Sequence, residues 1–334
     1  MPMKTLVTGG CGFIGSHLVE RLLQDGCEVV VLDNLSTGRL ANLEGVMKHP
    51  RLQVIQKDIT QEEAVRSHFE GVDAVFHLAA LADIVPSIQH PTDYFEANVT
   101  GTLVVLEAAR AAGVKRVIYT ASSSCYGIPD ITPTPESAPA KPEYPYALTK
   151  VLGEQMALHW AKVYHMEVVS LRLFNVYGPR SRTGGTYGAV MGVFLAQKLA
   201  NKPLTIVGDG SQTRDFTYVT DVVEAFWRAS QKEGMRGETL NVGSGGTYSV
   251  NQLTELIGGP TVQIPKRPGE PDCTFADITK IRDRLGWSPQ VSFEAGVKEM
   301  VGRIAEWSDA PVWTPETIEE ATKTWFRYLA GAKA

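Results

Sequence analysis

Tyr146-Ala147-Leu148-Thr149-Lys150 sets a phenol and an ammonium four residues apart. On an α-helix those two positions project from one face, so the groups are neighbours. A free phenol has a pKa of about 10 and is a poor base at neutral pH. A nearby positive charge favours the phenolate and moves it toward the working range. Upstream, Ser122-Ser123-Ser124-Cys125-Tyr126-Gly127 offers three successive hydroxyls directly after an apolar run, Arg116–Ala121. A base, a charge that tunes it and a hydroxyl beside it are the parts of a proton-transfer site. Each pattern also fits a bland reading, a solvated helix face or a serine-rich turn. The surrounding elements decide between them.

The most telling element lies near the N-terminus. Lys4-Thr5-Leu6-Val7 reads as a buried strand and Ser16-His17-Leu18-Val19-Glu20-Arg21-Leu22-Leu23 as an amphipathic helix. Between them runs Thr8-Gly9-Gly10-Cys11-Gly12-Phe13-Ile14-Gly15. Such a turn lets backbone approach a pyrophosphate, which then sits at the positive end of the helix. A second strand, Glu28-Val29-Val30-Val31-Leu32, ends at Asp33, about twenty residues past the turn. A carboxylate there accepts the hydroxyls of an adenine ribose and repels a 2′-phosphate. Asn34 follows, where an NADP binder often carries Arg. The expected cofactor is therefore NAD, whose positive nicotinamide also favours a Tyr146 phenolate.

Further strand-like runs at Leu52–Gln56, Ala74–Leu78, Arg116–Ala121 and Glu167–Arg172 alternate with helical patterns, the clearest being Asp93–Ala112 and Tyr146–Tyr164. This alternation predicts an α/β fold: a Rossmann-type, doubly wound parallel sheet with ligands at its strand ends. The stretch Ile128–Tyr144 holds Pro129, Pro133, Pro135, Pro139 and Pro142 and is expected to be an ordered surface loop. After Gly178-Pro179 the pattern becomes mixed. We expect residues 1–178 to form the NAD-binding domain, with 215–243 returning to it. Residues 179–214 and 244–334 are expected to build a smaller mixed α/β substrate domain. Thr314–Leu329 reads as one amphipathic helix; Trp313, Trp325, Phe326 and Tyr328 around it are assigned to packing on the body or a partner subunit.

The 334 residues carry a formal net charge of −5, with no basic block suited to nucleic acid and no apolar run long enough for a membrane. Met1-Pro2-Met3-Lys4 runs straight into a strand, so no secretory signal is expected. Cys11, Cys27, Cys125 and Cys273 lack metal-ligand spacing and read as reduced packing thiols. The expectation is a cytoplasmic protein without a metal site.

With these pieces in order, the chain resembles the extended short-chain dehydrogenases/reductases of the NAD-dependent nucleotide-sugar epimerase/dehydratase family, from Lys4 to about Trp287. Beyond the glycine turn, Tyr146 and Lys150, the likeness includes His77-Leu78-Ala79-Ala80, Asn98 in Asn-Val-Thr-Gly-Thr, and Leu171-Arg172-Leu173-Phe174-Asn175-Val176-Tyr177-Gly178-Pro179. It continues in Gly208-Asp209-Gly210-Ser211-Gln212-Thr213-Arg214-Asp215-Phe216 and Arg267-Pro268-Gly269-Glu270. The resemblance implies that Gly9, Gly12, Phe13, Ile14 and Gly15 hold the pyrophosphate, Asp33 and Asn34 the ribose end, and Asp58 with Ile59 the adenine. It places Leu78, Ala79, Ala80 and Asn98 along the dinucleotide groove and gives Lys150 the nicotinamide ribose. Ser122 becomes the catalytic hydroxyl, Ser123 and Ser124 face the sugar, Asn175 touches it, and Arg214 with Arg267 clamps the diphosphate. A guanidinium fork suits that last task because it pairs two phosphate oxygens while staying charged. A homodimer through Asp93–Ala112 and Tyr146–Tyr164 is also implied.

Departures from the family pattern narrow the reaction. Dehydratases of the family carry Asp-Glu where this chain has Ser123-Ser124, and decarboxylases usually carry Glu at Ser124. A hydroxyl alone does not replace a carboxylate in proton abstraction. What remains is 4-epimerisation of a nucleotide sugar, expected to be UDP-linked: oxidation at C4, rotation of the 4-keto sugar and reduction from the other face. Epimerisation at another carbon, a dehydrogenase or reductase on a CDP- or GDP-sugar, and a non-catalytic NAD sensor are the alternatives. Leu81-Ala82-Asp83 stands where related epimerases often have Lys. Arg180-Ser181-Arg182 resembles the uronate 4-epimerases and could meet a carboxylate or phosphate, with Arg182 the substrate candidate, while Thr274 leaves space for an N-acetyl group.

Overall fold

The computed structural model describes residues 2–181 and 190–330. Among them, seven parallel strands form one sheet. In chain order these are β1 (Lys4–Thr8), β2 (Glu28–Asp33), β3 (Leu52–Gln56), β4 (Ala74–His77), β5 (Arg116–Ser122), β6 (Glu167–Leu173) and an edge strand Glu238–Val242. Their spatial order runs from the edge strand through β6, β5, β4, β1 and β2 to β3. The chain thus leaves β1 on one side and returns on the other, and the carboxyl ends of β1 and β4 border a crevice that helices cannot fill.

Why these segments pair follows from their side chains. Alternate residues of a strand face opposite sides, and a parallel sheet covered on both faces needs both sides apolar. Val7, Val29, Val31, Phe76, Ile118 and Val169 join one buried cluster, while Leu6, Val30, Leu32, Val75, Val117 and Val168 join the other. Helix α1 (Phe13–Gln24) packs on the first face through Leu18, Val19 and Leu22. Helix Val219–Gln231 shares that face, with Phe226 6.5 Å from Phe76 between ring centroids.

A third cluster belongs to the smaller lobe, where Phe194, Leu204, Ile206, Phe216, Leu253, Phe293 and Trp307 pack together. Its strands are short: Leu204–Val207 pairs in parallel with Thr261–Ile264, and Thr213–Arg214 pairs antiparallel with Tyr248–Ser249.

Two elements differ from expectation. Helix Asp93–Ala112 begins earlier, at Pro91, because proline suits a first helical turn. It is also interrupted by a π-helical turn, Glu96–Thr100, between Pro91–Phe95 and Gly101–Ala111. Helix Pro145–Val163 starts right after Tyr144, which the following proline holds extended at φ −149°. The proline-rich stretch before it contains no helix or regular strand, yet backbone bonds from Thr134 N to Phe275 O (2.7 Å) and Lys141 N to Cys125 O (2.8 Å) tie it down.

Candidate active site

The turn after β1 is shaped by close backbone contact. Gly9 has φ +72°, and a Cβ there would lie 2.8 Å from the Ala79 nitrogen. A Cβ on Gly15 would lie 2.2 Å from the Gly9 oxygen. Helix α1 follows Gly12, which offers no side-chain cap. Its leading amides, those of Phe13 and Ile14 among them, therefore have no acceptor within the helix and form an anion-binding end. Across the crevice a buried clamp joins β1 to β4. Thr102 donates to the Asn98 carbonyl (2.6 Å), so His77 Nε2 donates to Thr102 Oγ1 (2.9 Å). His77 Nδ1 then accepts from Thr8 Oγ1 (2.7 Å), which itself accepts from Ala79 N (3.2 Å). Burial, and then Lys150, pulls His77 down to about 3, so this clamp is neutral.

Asp33 sits at the carboxyl end of β2, buried. Its Oδ2 accepts from Cys11 N (2.9 Å) and its Oδ1 from Leu35 N (2.8 Å), leaving acceptor capacity on each oxygen. Burial raises its pKa against those two amide bonds. Asn34 Nδ2 donates to Asp58 Oδ2 (2.8 Å), linking two expected cofactor residues. Burial alone would raise Asp58, but the Thr60 amide and the Asn34 and Thr60 side chains together hold it below the ordinary carboxylate range. Ile59 is buried against Gly101. An open helix N-terminus, a glycine cradle that a Cβ would fill and an acceptor-only carboxylate fit a dinucleotide.

Asn98 acts differently from its neighbours in the groove. The π-helical turn carries its side chain inward, where Oδ1 accepts from Leu81 N (2.8 Å) and Nδ2 donates to Leu81 O (2.9 Å) and Thr149 Oγ1 (3.0 Å). Its amide therefore pins the segment after Ala79 and Ala80 to the helix of Tyr146 and faces protein.

That helix and β5 bring the proton-transfer groups together. Ser122 ends β5, and its Oγ accepts from Ser124 N (3.2 Å) and Ser124 Oγ (2.9 Å). Ser124 is thus engaged with Ser122, and it also hydrogen-bonds Tyr144; Ser123 begins the short 3₁₀ turn. Tyr146 hydrogen-bonds Ser122. Its phenol moves upward in this chain: burial raises it, the Ser122 bond opposes, and Asp83 and Cys125 add to the rise. The pull expected from Lys150 alone does not overcome that burial. Lys150 lies over the Tyr119 ring, 4.7 Å from its centre, and burial lowers it to about 8 against the attraction of Glu154. Asp83, in the departing Leu81-Ala82-Asp83 segment, thus brings negative charge to the phenol.

Arg214 and Arg267 share one carboxylate. Glu270 is 3.9 Å from Arg214 Nη2 and 3.2 Å from Arg267 Nη1. Burial lowers Arg214; Glu270 opposes this and the Arg267 charge reinforces it. Two guanidinium groups converge on Glu270 in a sheltered place, and their forks suit an anion. Asn175 Nδ2 donates to Thr274 Oγ1 (2.8 Å), so the two expected sugar-pocket residues touch each other. Arg180 is drawn away: its Nη2 pairs with Glu20 Oε1 of α1 at 2.6 Å, so it meets a carboxylate of its own chain. Arg182 lies outside the described residues.

Two groups escaped the sequence reading. Glu154, one turn beyond Lys150, is buried and bidentate with Arg172 (Nε–Oε1 3.0 Å, Nη2–Oε2 2.8 Å). Arg172 in turn donates to Tyr126 OH (2.8 Å), which donates to Asn241 Oδ1 (2.7 Å). Only the spacing Tyr146, Lys150, Glu154 hinted at this ladder. The second is Trp325, treated above as packing. Its Nε1 donates to Pro268 O (2.8 Å), and Arg267 lies 5.4 Å from its ring centre. The amphipathic stripe announced burial but not the surface that buries it.

Comparison with known proteins agrees with this geometry. The family model described as GDP-mannose 4,6 dehydratase matches residues 6–300. UDP-glucose 4-epimerase from Mycolicibacterium smegmatis is 40% identical over 309 residues, covering 90% of this chain and 97% of the relative. UDP-glucuronic acid decarboxylase 5 from Arabidopsis thaliana is 34% identical, covering 89% and 88%. Among solved structures, UDP-glucuronic acid 4-epimerase from Bacillus cereus, in complex with UDP-glucuronic acid and NAD, superposes with a TM-score of 0.83 at 32% identity. That match covers 91% of this chain and 99% of the other.

Proposed function

This chain belongs to the GDP-mannose 4,6 dehydratase family of extended short-chain dehydrogenases/reductases, and from that premise we propose that it is an NAD-dependent nucleotide-sugar 4-epimerase. The observation that carries the reading is the Tyr146–Ser122 pair at the carboxyl end of β5, followed by a 3₁₀ turn, Ser123–Tyr126, with no carboxylate in it. A single base and a hydroxyl suffice for reversible oxidation of an alcohol; dehydration and decarboxylation call for further acid/base groups.

NAD, when bound, supplies a hydride acceptor and donor and a positive ring that favours the Tyr146 phenolate. Gly9, Gly12, Phe13, Ile14 and Gly15 hold the pyrophosphate, Asp33 with Asn34 the ribose end, and Asp58 with Ile59 the adenine. Tyr146 takes the C4 hydroxyl proton and later returns it, while Ser122 hydrogen-bonds the same oxygen. Lys150 holds the nicotinamide ribose. Arg214 and Arg267 fix the diphosphate of a UDP-sugar, so the neutral sugar can turn about its linkage while the nucleotide stays in place. Asn175 and Thr274 border the sugar.

Residues 1–178 with 215–243 form the cofactor domain in this reading, and the rest binds substrate. The protein acts as a cytoplasmic homodimer, supported by the exposed apolar side chains Leu103 and Leu148 on Gly101–Ala111 and Pro145–Val163. Among the described residues no helix is long and apolar enough to cross a membrane.

The test is NMR of the protein incubated separately with UDP-glucose, UDP-N-acetylglucosamine and UDP-glucuronate, with Tyr146→Phe as control. A C4 epimer formed without net NADH, and absent with the variant, supports the proposal and names the sugar. Carbon dioxide release from UDP-glucuronate, or net NADH, overturns it in favour of decarboxylation or dehydrogenation.

A further inference from the structure

Helix Pro315–Leu329 lies beyond the residues matched by the family model, yet it reaches the active-site cleft. Its apolar stripe, Ile318, Thr322 and Trp325, is buried. Thr324 Oγ1 accepts from Gln89 Nε2 (3.4 Å), on the helix Ile84–Gln89 that follows the cofactor groove. The next residue, Trp325, faces the opposite lobe, where its Nε1 donates to the Pro268 carbonyl at 2.8 Å. The indole face receives Arg267 at 5.4 Å, and the Tyr144 ring lies 6.4 Å away. Tyr144 stacks on Tyr146, with centroids 6.4 Å apart and planes 11° apart. One side chain thus touches the arginine of the anion site and the ring that flanks the base.

We propose that Trp325 is a positioning residue for substrate, holding Arg267 and the Tyr144–Tyr146 stack in register so that diphosphate and reacting sugar are set by one indole. The inference rests on the reading of Arg267 as a diphosphate ligand. A long arginine side chain has many rotamers, and ordering it on binding costs affinity. An aromatic face that attracts the guanidinium, itself tethered by a backbone hydrogen bond, removes that cost beforehand.

Two variants of the full-length, NAD-loaded protein test this. Trp325→Leu removes the aromatic face and the tether; Trp325→Phe keeps a face and loses the tether. Binding of UDP and steady-state turnover of the UDP-sugar are measured for each, alone and with Arg267→Ala. Trp325→Leu is expected to weaken UDP about tenfold, within the range of a desolvated cation–π contact. KM should rise with it, Trp325→Phe should recover most of the loss, and in the Arg267→Ala background Trp325→Leu should add little. Unchanged UDP affinity in Trp325→Leu, or losses that simply add to those of Arg267→Ala, overturns the role of Trp325. If Arg267→Ala itself leaves UDP binding intact, the diphosphate assignment falls instead. Should Trp325→Leu not fold, Trp325→Met, which also lacks the aromatic face and the tether, takes its place in the cycle with Arg267→Ala, with coupling supporting the proposal and additivity overturning it.

Discussion

The two ends of the cleft are built from different materials. At the end we assign to the cofactor, Gly9, Gly15, Asp33 and His77 are fixed by adjacent strands of a seven-stranded sheet and by backbone contacts with no slack. At the end we assign to the substrate, Arg214 stands on a two-residue strand and Arg267 in a loop, and both are oriented by side chains: Glu270, Trp325 and each other's charge. A continuous sheet resists local change because each inner strand, β1, β2 and β4 among them, shares hydrogen bonds with two neighbours. Side-chain partnerships can be exchanged one at a time. The chemistry is therefore held rigidly, and recognition of the sugar nucleotide is the part open to adjustment.

Variants at the two ends should separate accordingly. Tyr146→Phe removes the only proton acceptor assigned to the sugar hydroxyl and should lower kcat by about 10³-fold. NAD content, read from absorbance after denaturation, should not change. Gly15→Ala drives a methyl group into the Gly9 carbonyl, 2.2 Å from the new Cβ. The turn must open, so retained NAD should fall by at least about tenfold and stability by ~2 kcal/mol, measured by dialysis and denaturant unfolding. Arg214→Ala should raise KM by roughly tenfold to a hundredfold, the worth of a charge-assisted bond, with kcat altered far less. If it also emptied the cofactor site, the division between the two ends would be wrong.

The smallest effect is a pH dependence. Burial lowers Lys150 from its ordinary 10.5 to about 8. Below pH 8 the folded chain must bury an ammonium that the unfolded chain leaves in water. As pH rises from about 8 toward 10.5 that penalty disappears, so this group adds stability with rising pH. Lys150→Met, without cofactor, should melt a few degrees higher than the parent chain at pH 7, and the gap should close by pH 10. A gap constant with pH would show that Lys150 is not strained by burial.

Much of the turn after β1 and of the strand that ends at Asp33 was legible in the residues. A strand, a glycine turn, a helix and Asp33 are local signals whose spacing already implies their geometry. The anion corner was legible only through likeness to a family, since Arg214 and Arg267 are far apart in sequence and Glu270 carries no local mark of its part. Arg180 shows the limit from the other side: its place next to Ser181 suggested a ligand, but Glu20 had already claimed it. Asn98 was recognised as part of the groove, yet the π-helical turn that aims its amide at Leu81 has no plain periodicity to reveal it.

Sequence by itself determined the alternation of strand and helix, the glycine turn after β1 and the one-face placement of Tyr146 and Lys150, because these depend on neighbours a few residues apart. Tertiary structure alone decided how high the Tyr146 phenol stands, that Lys150 lies over Tyr119, that Glu154 is neutralised by Arg172, and that Trp325 meets Arg267. Those outcomes depend on desolvation and on partners brought together from distant parts of the chain, and neither is written in any local stretch of it.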